Sequence, residues 1–139
     1  MATMEDEGRV GKARILVVDD DPLVRETALR GLRKRGYHAE DAEDGLEALH
    51  HLQRDQFDVV VTDIQMPRLD GLALLREIRR RGYAHGVVVQ TTRLDASLEV
   101  ILRRAGASSV LAKGGPFADL VRSVEEAYRA SRRAQACFA

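Results

Sequence analysis

Apolar runs of three or four residues alternate along the 139-residue chain with segments in which apolar residues recur at helical spacing. Val59, Val60 and Val61 in succession indicate a strand buried on both faces, because a strand with one buried face would alternate apolar and polar residues. The alternation of strand and helix predicts an α/β protein whose parallel sheet is covered by helices on both sides. The predicted strands are residues 14–18, 38–42, 57–62, 87–91 and 108–112.

The predicted helices follow these strands in turn. Clusters of arginine and lysine are expected to close them, since cations are favoured near the exposed carbonyls of a helix end. Glycine follows three of the clusters closely, as in helices that stop in the left-handed conformation. The helices are predicted from Pro22 to about residue 35 and at 45–54, 72–81, 97–105 and about 117–131, and the clusters are 33–35, 79–81, 103–104 and 132–133. The expected apolar side of the first helix is Leu23, Val24, Ala28, Leu29 and Leu32.

Composition and charge narrow the class of protein. A hydrophobic fraction of 45% and a charged fraction of 32% are typical of one globular domain, which we place at residues 13–131, between a flexible leader (1–12) and a short tail (132–139). No apolar run approaches the roughly 20 residues of a membrane span, and the N-terminus lacks the apolar core of a signal peptide. We therefore expect a cytoplasmic protein without membrane insertion. Lys+Arg and Asp+Glu both total 22, which argues against direct binding of nucleic acid.

Chemically active side chains stand where the predicted strands end. Asp19 and Asp20 follow the first strand, Asp63 the third and Lys113 the fifth, while Thr91 ends the fourth. The carboxyl ends of parallel strands share one edge of a sheet, where open α/β proteins bind ligands. Carboxylates gathered there repel one another unless a divalent cation lies among them, and Mg²⁺ commonly binds one or two carboxylates together with phosphate. A carboxylate beside Mg²⁺ and a lysine can also attack a phosphoryl group and hold it as an aspartyl-phosphate.

The segment after Asp63 predicts a tight loop that leads into a helix. Pro67 disfavours helical geometry at Met66, so the strand should end in a loop from Asp63 to Asp70. Asp70 then occupies the position of an N-cap ahead of Gly71 and an apolar helical stretch.

Four motifs in order resemble those of the receiver domains of two-component response regulators. The resemblance covers nearly all of residues 13–131 and implies a flavodoxin-like fold, with five parallel strands in the order 2-1-3-4-5. The motifs are ILVVDDDP (15–22), VVVTDIQMPRLDGLALL (59–75), VVVQTT (87–92) and VLAKGGPF (110–117).

The resemblance also implies a role for each matching residue. Asp63 would be the phosphoacceptor, Thr91 would contact the phosphoryl group, and Lys113 would pair with a phosphoryl oxygen. Asp20 would bind Mg²⁺ directly and Asp19 through water. Asp21 would cap the first helix. The implied metal ligands are Asp19, Asp20, Asp63 and the backbone carbonyl of Gln65.

Two departures from the family pattern lie near Lys113. The family usually follows this lysine directly with proline, whereas Gly114 and Gly115 precede Pro116 here. Glycine loosens a loop, so we expect Lys113 to be less firmly aimed. Val110 stands where the family carries an aromatic residue of its output switch, so the readout of phosphorylation is expected to differ in detail.

The expected function is that of a phosphorylation switch and not of a turnover enzyme. A histidine kinase or histidine phosphotransfer protein would donate the phosphoryl group, and a downstream effector protein would read the altered surface of a monomer or weak homodimer. One alternative is a pseudo-receiver, an interaction module that is not phosphorylated. Another is a metal-dependent hydrolase, which needs a further general acid or base for which the sequence offers no obvious candidate beside Asp63.

Overall fold

The structure, a computed structural model, describes residues 13–84 and 86–137. The predicted leader (1–12) and the last two residues of the predicted tail lie outside the described residues. Strands and helices alternate throughout the described chain. They are β1 (Arg14–Val18), α1 (Pro22–Lys34), β2 (His38–Ala42), α2 (Gly45–Arg54), β3 (Val59–Asp63), α3 (Gly71–Arg81), β4 (Gly86–Thr91), α4 (Ala96–Ala105), β5 (Ser109–Ala112) and α5 (Phe117–Cys137).

The strands form one five-stranded sheet in the order β2-β1-β3-β4-β5. Every neighbouring pair is parallel. This confirms the predicted α/β class and the predicted strand order. The charged strand β2 lies at an edge of the sheet.

The sheet separates two hydrophobic cores because successive side chains of a strand point to opposite faces. In β1, Leu16 and Val18 pack with residues of α2, α3 and α4, whereas Ile15 and Val17 pack with residues of α1 and α5. The valines Val59–Val61 at the centre of the sheet are at most 1% exposed. Burial on both faces therefore explains the unbroken apolar run of β3.

Side chains at the helix ends act as the sequence predicts. Asp21 accepts hydrogen bonds from the backbone N–H groups of Leu23 and Val24 at the start of α1, and Asp70 accepts one from Ala73 at the start of α3. The three glycines that follow α1, α3 and α4 all have positive φ, as predicted for left-handed helix ends; they are Gly36, Gly82 and Gly106.

The predicted limits of β3 are wrong at both ends. The prediction placed this strand at residues 57–62, whereas regular pairing runs from Val59 to Asp63. The side chain of Asp58 accepts a hydrogen bond from the backbone N–H of Arg14 at 2.8 Å, in place of a backbone carbonyl. Asp63 belongs to the strand because it pairs in register with Gln90 of β4.

Two predictions for the first and last helices are also wrong. Leu23 was expected on the apolar side of α1, but it is 71% exposed because it lies in the first turn, beyond the end of the core. α5 continues past the predicted end at Ser131 and runs through Cys137, so the cluster 132–133 lies inside the helix. Ser131 is 2% exposed, which shows that the helix still packs on the molecule at this point. In the part of the chain described here, none of the helices has the length and apolar character needed to cross a membrane.

Candidate functional site

The register of the parallel sheet brings the predicted site residues to one edge. Val18 of β1 pairs with Thr62 of β3, so Asp19 and Asp63 follow at the same level. Thr91, the last residue of β4, pairs with Ala112 of β5, and Lys113 comes directly after that pair. Residues that are distant in sequence therefore meet at the carboxyl edge, where α/β sheets bind their ligands.

Three aspartates form the acidic part of the site. One carboxylate oxygen from each of Asp19, Asp20 and Asp63 lies within 4.8 Å of the other two. Asp19 and Asp63 are only 3% and 7% exposed, whereas Asp20 faces solvent. Two like charges about 4 Å apart repel by about 4 kcal/mol at an effective dielectric constant near 20, so this arrangement calls for a compensating cation.

Lys113 supplies a positive charge to the cluster. Its Nζ donates hydrogen bonds to Oδ2 of Asp19 at 2.7 Å and to Oδ2 of Asp63 at 2.9 Å. Burial alone would lower the pKa of Lys113, but the hydrogen bonds and charges of the two aspartates outweigh burial and raise this pKa above its usual value. Lys113 is therefore an ammonium group at neutral pH, despite its half-buried position.

Thr91 and the loop after β5 complete this side of the site. Thr91 is 3% exposed, and its Oγ1 accepts a hydrogen bond from the backbone N–H of Arg93 at 3.2 Å. The backbone carbonyl of Thr91 accepts a hydrogen bond from the N–H of Lys113 at 2.8 Å, which fixes the backbone of the lysine to β4. Gly114 directly after it has a φ of +86°, in the left-handed region that favours glycine. The backbone anchor thus precedes the glycine loop, while the long side chain of Lys113 reaches the carboxylates.

The loop between β3 and α3 closes tightly around Asp63. The backbone N–H of Gln65 donates to Oδ1 of Asp63 at 3.4 Å, and that of Gly71 donates to the carbonyl of Ile64 at 2.9 Å. A Cβ atom at position 71 would lie 2.1 Å from the carbonyl oxygen of Asp63, so only glycine fits there. The backbone of Gln65 thus lies beside Asp63, whereas metal binding by its carbonyl stays a prediction.

Sequence reasoning missed Arg25, which holds the backbone that carries Asp19. Arg25 donates from Nη1 to the carbonyl of Asp19 at 2.8 Å and from Nε to Oδ2 of Asp41 at 3.1 Å. The backbone N–H of Asp21 also donates to Oδ1 of Asp19 at 2.9 Å. No local pattern marks Arg25, because its carboxylate partner Asp41 lies in β2, 16 positions further along the chain.

A second contact that sequence reasoning missed joins Arg68 to Asp44. The Nε of Arg68 donates to Oδ2 of Asp44 at 2.8 Å, and Nη2 contacts the same oxygen. Burial would raise the pKa of Asp44, but hydrogen bonds from the Glu47 N–H and from Arg68, together with the charge of Arg68, hold it below its usual value. An aspartate directly before a helix does signal an N-cap, whereas nothing in the sequence marks Arg68 as its partner.

The donor set fits a hard divalent cation. Carboxylate oxygens from Asp19, Asp20 and Asp63 are the ligands that Mg²⁺ prefers, and the exposed Asp20 leaves room for the waters that this ion retains. Chemically, the site joins a carboxylate nucleophile to a lysine ammonium, with a hydroxyl at the same edge of the sheet. This combination suits transfer of a phosphoryl group, which depends mainly on positioning and on neutralisation of charge.

The fold and this site define a flavodoxin-like α/β protein with an acidic, lysine-containing centre at the carboxyl edge of its sheet. The sequence model of the response regulator receiver domain matches residues 15–125. The chain belongs to the response regulator receiver domain family, as its four motifs suggest, and receiver domains serve signal transduction in two-component systems.

Known relatives agree with this assignment. The chain is 47% identical over 105 residues to response regulator MprA of Mycobacterium leprae, an alignment that covers 76% of this chain and 45% of the relative. The chain therefore spans about half the length of the curated relatives it matches.

Solved structures share the fold. The receiver domain of the Francisella response regulator 1452 has a TM-score of 0.82 and 26% identity, covering 86% of this chain and 99% of that one. The Vibrio cholerae chemotaxis protein CheY4 has a TM-score of 0.79 and 27% identity, covering 84% and 98%.

Proposed function

We propose that this chain is a phosphoacceptor receiver, which takes a phosphoryl group from a phosphohistidine onto Asp63 with Mg²⁺ bound. The observation that supports this most directly is the contact of the Lys113 ammonium with both Asp19 and Asp63, beside Asp20. An oxygen of Asp63 attacks phosphorus, the P–N bond of the phosphohistidine breaks, and its electron pair returns to the imidazole nitrogen. The product is an acyl phosphate on Asp63.

Each residue of the site has a distinct task in this proposal. Asp20 and Asp63 would bind Mg²⁺ directly, Asp19 would bind it through water, and the Gln65 carbonyl would be a further ligand. When bound, the ion neutralises charge on the phosphoryl oxygens. Thr91 donates its hydroxyl hydrogen to one phosphoryl oxygen, and the ammonium group of Lys113 pairs with another.

Lys113 exchanges partners during this reaction, which links the chemistry to the surface. In the present structure its ammonium binds two carboxylates, whereas in the phosphorylated state it binds a phosphoryl oxygen. The loop with Gly114 and Gly115 connects Lys113 to α5, so a new contact of the lysine side chain can affect the position of that helix. A change of charge at one residue thereby biases a larger surface, as in other phosphorylation switches.

The proposed partners follow from this role. A histidine kinase or histidine phosphotransfer protein donates the phosphoryl group, and a downstream effector protein reads the switched surface of a cytoplasmic monomer or weak homodimer. A formal net charge of zero gives no electrostatic support for direct binding of nucleic acid.

The aromatic side chain of the usual output switch is replaced by Val110, which is 6% exposed and packs in the core on the α4 side of the sheet.

Intact mass spectrometry tests the proposal. The full chain is incubated with Mg²⁺ and a small-molecule phosphodonor, beside Asp63→Asn and the control Asp70→Asn. Asparagine also caps helices well, so the control should preserve α3 while removing a carboxylate outside the cluster. We expect one added phosphoryl group on the wild type and on Asp70→Asn, and none on Asp63→Asn or with a chelator. A folded wild type that gains no mass and binds no Mg²⁺ would instead support the pseudo-receiver, and repeated turnover of a small phosphate ester would support a hydrolase.

A further inference from the structure

We propose that Asp44 and Arg68 are a positioning pair, which holds the loop between β3 and α3 in the conformation that binds the divalent cation. The pair touches neither the carboxylate cluster nor a reacting atom and acts through the backbone of the loop. This inference rests on the proposed function, because the Gln65 carbonyl of this loop is there assigned as a metal ligand.

Both ends of the loop, residues 64–70, are fixed by the fold. At one end Asp63 pairs within the sheet, and the Gln65 N–H donates to its side chain at 3.4 Å. At the other end Asp70 caps α3, and the Gly71 N–H donates to the Ile64 carbonyl at 2.9 Å. Between these ends, the Leu69 N–H donates to the Pro67 carbonyl at 2.8 Å, and the side chains of Met66 and Leu69 pack against the core.

Arg68 lies in this middle part and has an unusual backbone conformation. Its φ of +68° makes it the one residue other than glycine with a positive φ among residues 13–84 and 86–137. Side chains other than glycine adopt this conformation at a cost in free energy, so a contact elsewhere must stabilise it. The fork of hydrogen bonds from Arg68 to Asp44 is such a contact.

Asp44 connects the loop to a rigid part of the molecule. Asp44 is 3% exposed, and its Oδ1 accepts the Glu47 N–H at 2.9 Å as the N-cap of α2, which packs on the sheet through Ala48 and Leu52. The loop also lies directly against this helix, because a Cβ atom at Gly45 would be 2.4 Å from the carbonyl oxygen of Leu69. Ion pair and backbone contact together attach the loop to α2.

The charge of Arg68 makes the positioning role separable from a general electrostatic effect. A positive charge near a cation site repels the cation, so loss of Arg68 through its field alone would tighten Mg²⁺ binding. Loss of a positioning contact would loosen the loop and weaken Mg²⁺ binding. The two effects have opposite signs.

Isothermal titration calorimetry with Mg²⁺ on the full chain measures whether loss of Arg68 tightens or weakens Mg²⁺ binding. The variants are Arg68→Ala, Asp44→Asn, their double mutant, and the control Arg80→Ala, which removes an exposed arginine that pairs with Glu77 on α3. We expect each single variant of the pair to raise the Kd for Mg²⁺ about threefold to tenfold. This is at or below the usual effect of substituting a residue that orients a metal ligand. The double mutant should bind Mg²⁺ about as tightly as the weaker-binding single variant, because the two substitutions remove the same contact. Arg80→Ala should leave the Kd within about twofold of the wild type, since screening weakens distant surface charges.

Hydrogen exchange of the loop in the absence of metal provides the second readout. Arg68→Ala should accelerate exchange of the Gly71 amide and other amides of residues 64–71, whereas Arg80→Ala should not. An unchanged or lower Kd in Arg68→Ala, with unchanged exchange, would overturn the inference. Failure of the wild type to bind Mg²⁺ would overturn the metal assignment, and the exchange result would still decide whether the pair holds the loop.

Discussion

At the scale of single residues, the space around Asp63 restricts its neighbours to particular side chains. The carbonyl oxygen of Asp63 occupies the place where a side chain at position 71 would begin. Because Gly71 starts α3 directly behind the phosphoacceptor candidate, the close approach keeps the loop short and Asp63 fixed. Asp70 caps the same helix, so the two adjacent residues have different roles. Asp70 accepts a hydrogen bond from a free backbone N–H of the helix, and Gly71 leaves room for the Asp63 carbonyl.

Substitution of this glycine should therefore be costly. We expect Gly71→Ala to lower the free energy of unfolding by about 2–3 kcal/mol, because the new methyl group overlaps backbone that cannot move aside easily. The matched control is Gly115→Ala, whose Cβ would meet only the Ala112 carbonyl at 3.5 Å and whose expected cost is below about 0.5 kcal/mol. Urea denaturation of the three proteins measures both values. Similar losses for the two variants would show that the contact at Asp63 is not decisive.

At the scale of secondary-structure elements, α1 and α5 meet through a glycine and an aromatic ring. A Cβ atom at Gly31, inside α1, would lie 2.4 Å from Cζ of Phe117, the first residue of α5. The guanidinium group of Arg35 lies 5.1 Å from the centre of the same ring. Glycine inside a helix costs about 1 kcal/mol relative to alanine, so the space for the ring explains why this position suits glycine.

The contact between these helices predicts that the effect of Gly31→Ala on the free energy of unfolding depends on whether Phe117 is present. In the wild-type chain, Gly31→Ala should be neutral or destabilising, because the gain in helix propensity is offset by displacement of the Phe117 ring. In a Phe117→Ala background, the same substitution should stabilise the fold by about 1 kcal/mol, since the space is then free. A double-mutant cycle from urea denaturation gives the coupling. Equal effects in both backgrounds would contradict the proposed contact.

At the scale of the whole molecule, two strands of the sheet bring repelling carboxylates into one site, and a third strand brings a lysine to them. Asp19 and Asp63 come from β1 and β3, and Lys113 reaches both from the end of β5. Without metal, this ammonium is the cation seen in contact with both buried carboxylates of the site. We therefore expect the stability of the domain and its proposed metal binding to be linked through Lys113.

This linkage predicts how metal affects the stability of a lysine variant. At neutral pH without Mg²⁺, Lys113→Ala should lower the free energy of unfolding by about 2 kcal/mol, because two buried carboxylates lose their partner. Such a loss corresponds to a fall in Tm of about 5–10 °C. Mg²⁺ should raise the Tm of this variant more than that of the wild type, since the ion replaces the missing charge.

Thermal unfolding with Mg²⁺ and with a chelator checks this prediction. The exposed Lys34 at the end of α1 offers the control Lys34→Ala, which should respond to Mg²⁺ like the wild type. An equal Mg²⁺ response in Lys113→Ala and the wild type would argue against a shared site for the lysine and the ion.

The sequence by itself determined most of the secondary structure and the composition of the acidic site. The predicted limits of β1, β2 and α2 agree with the structure, and Asp21 and Asp70 cap their helices as predicted. These features depend on apolar periodicity and on hydrogen bonds between residues three or fewer positions apart, so the local sequence contains the information. The resemblance of four ordered motifs to those of receiver domains indicated the family. Parallel strands deliver their carboxyl ends to one edge, so the strand pattern also predicted where the site lies.

Only the tertiary structure decided the contacts that support the site. Arg68 and Asp44 are 24 positions apart, and Lys113 and Asp63 are 50 apart. The exposure of Leu23, the start of β3 at Val59 and the continuation of α5 to Cys137 likewise differed from the sequence pattern. These features depend on what packs beside a segment or on a side chain that replaces a backbone hydrogen-bond partner. The pattern of the segment itself shows neither of these causes. The sequence alone determined which groups reach the edge of the sheet, whereas three-dimensional packing decided how they are held there.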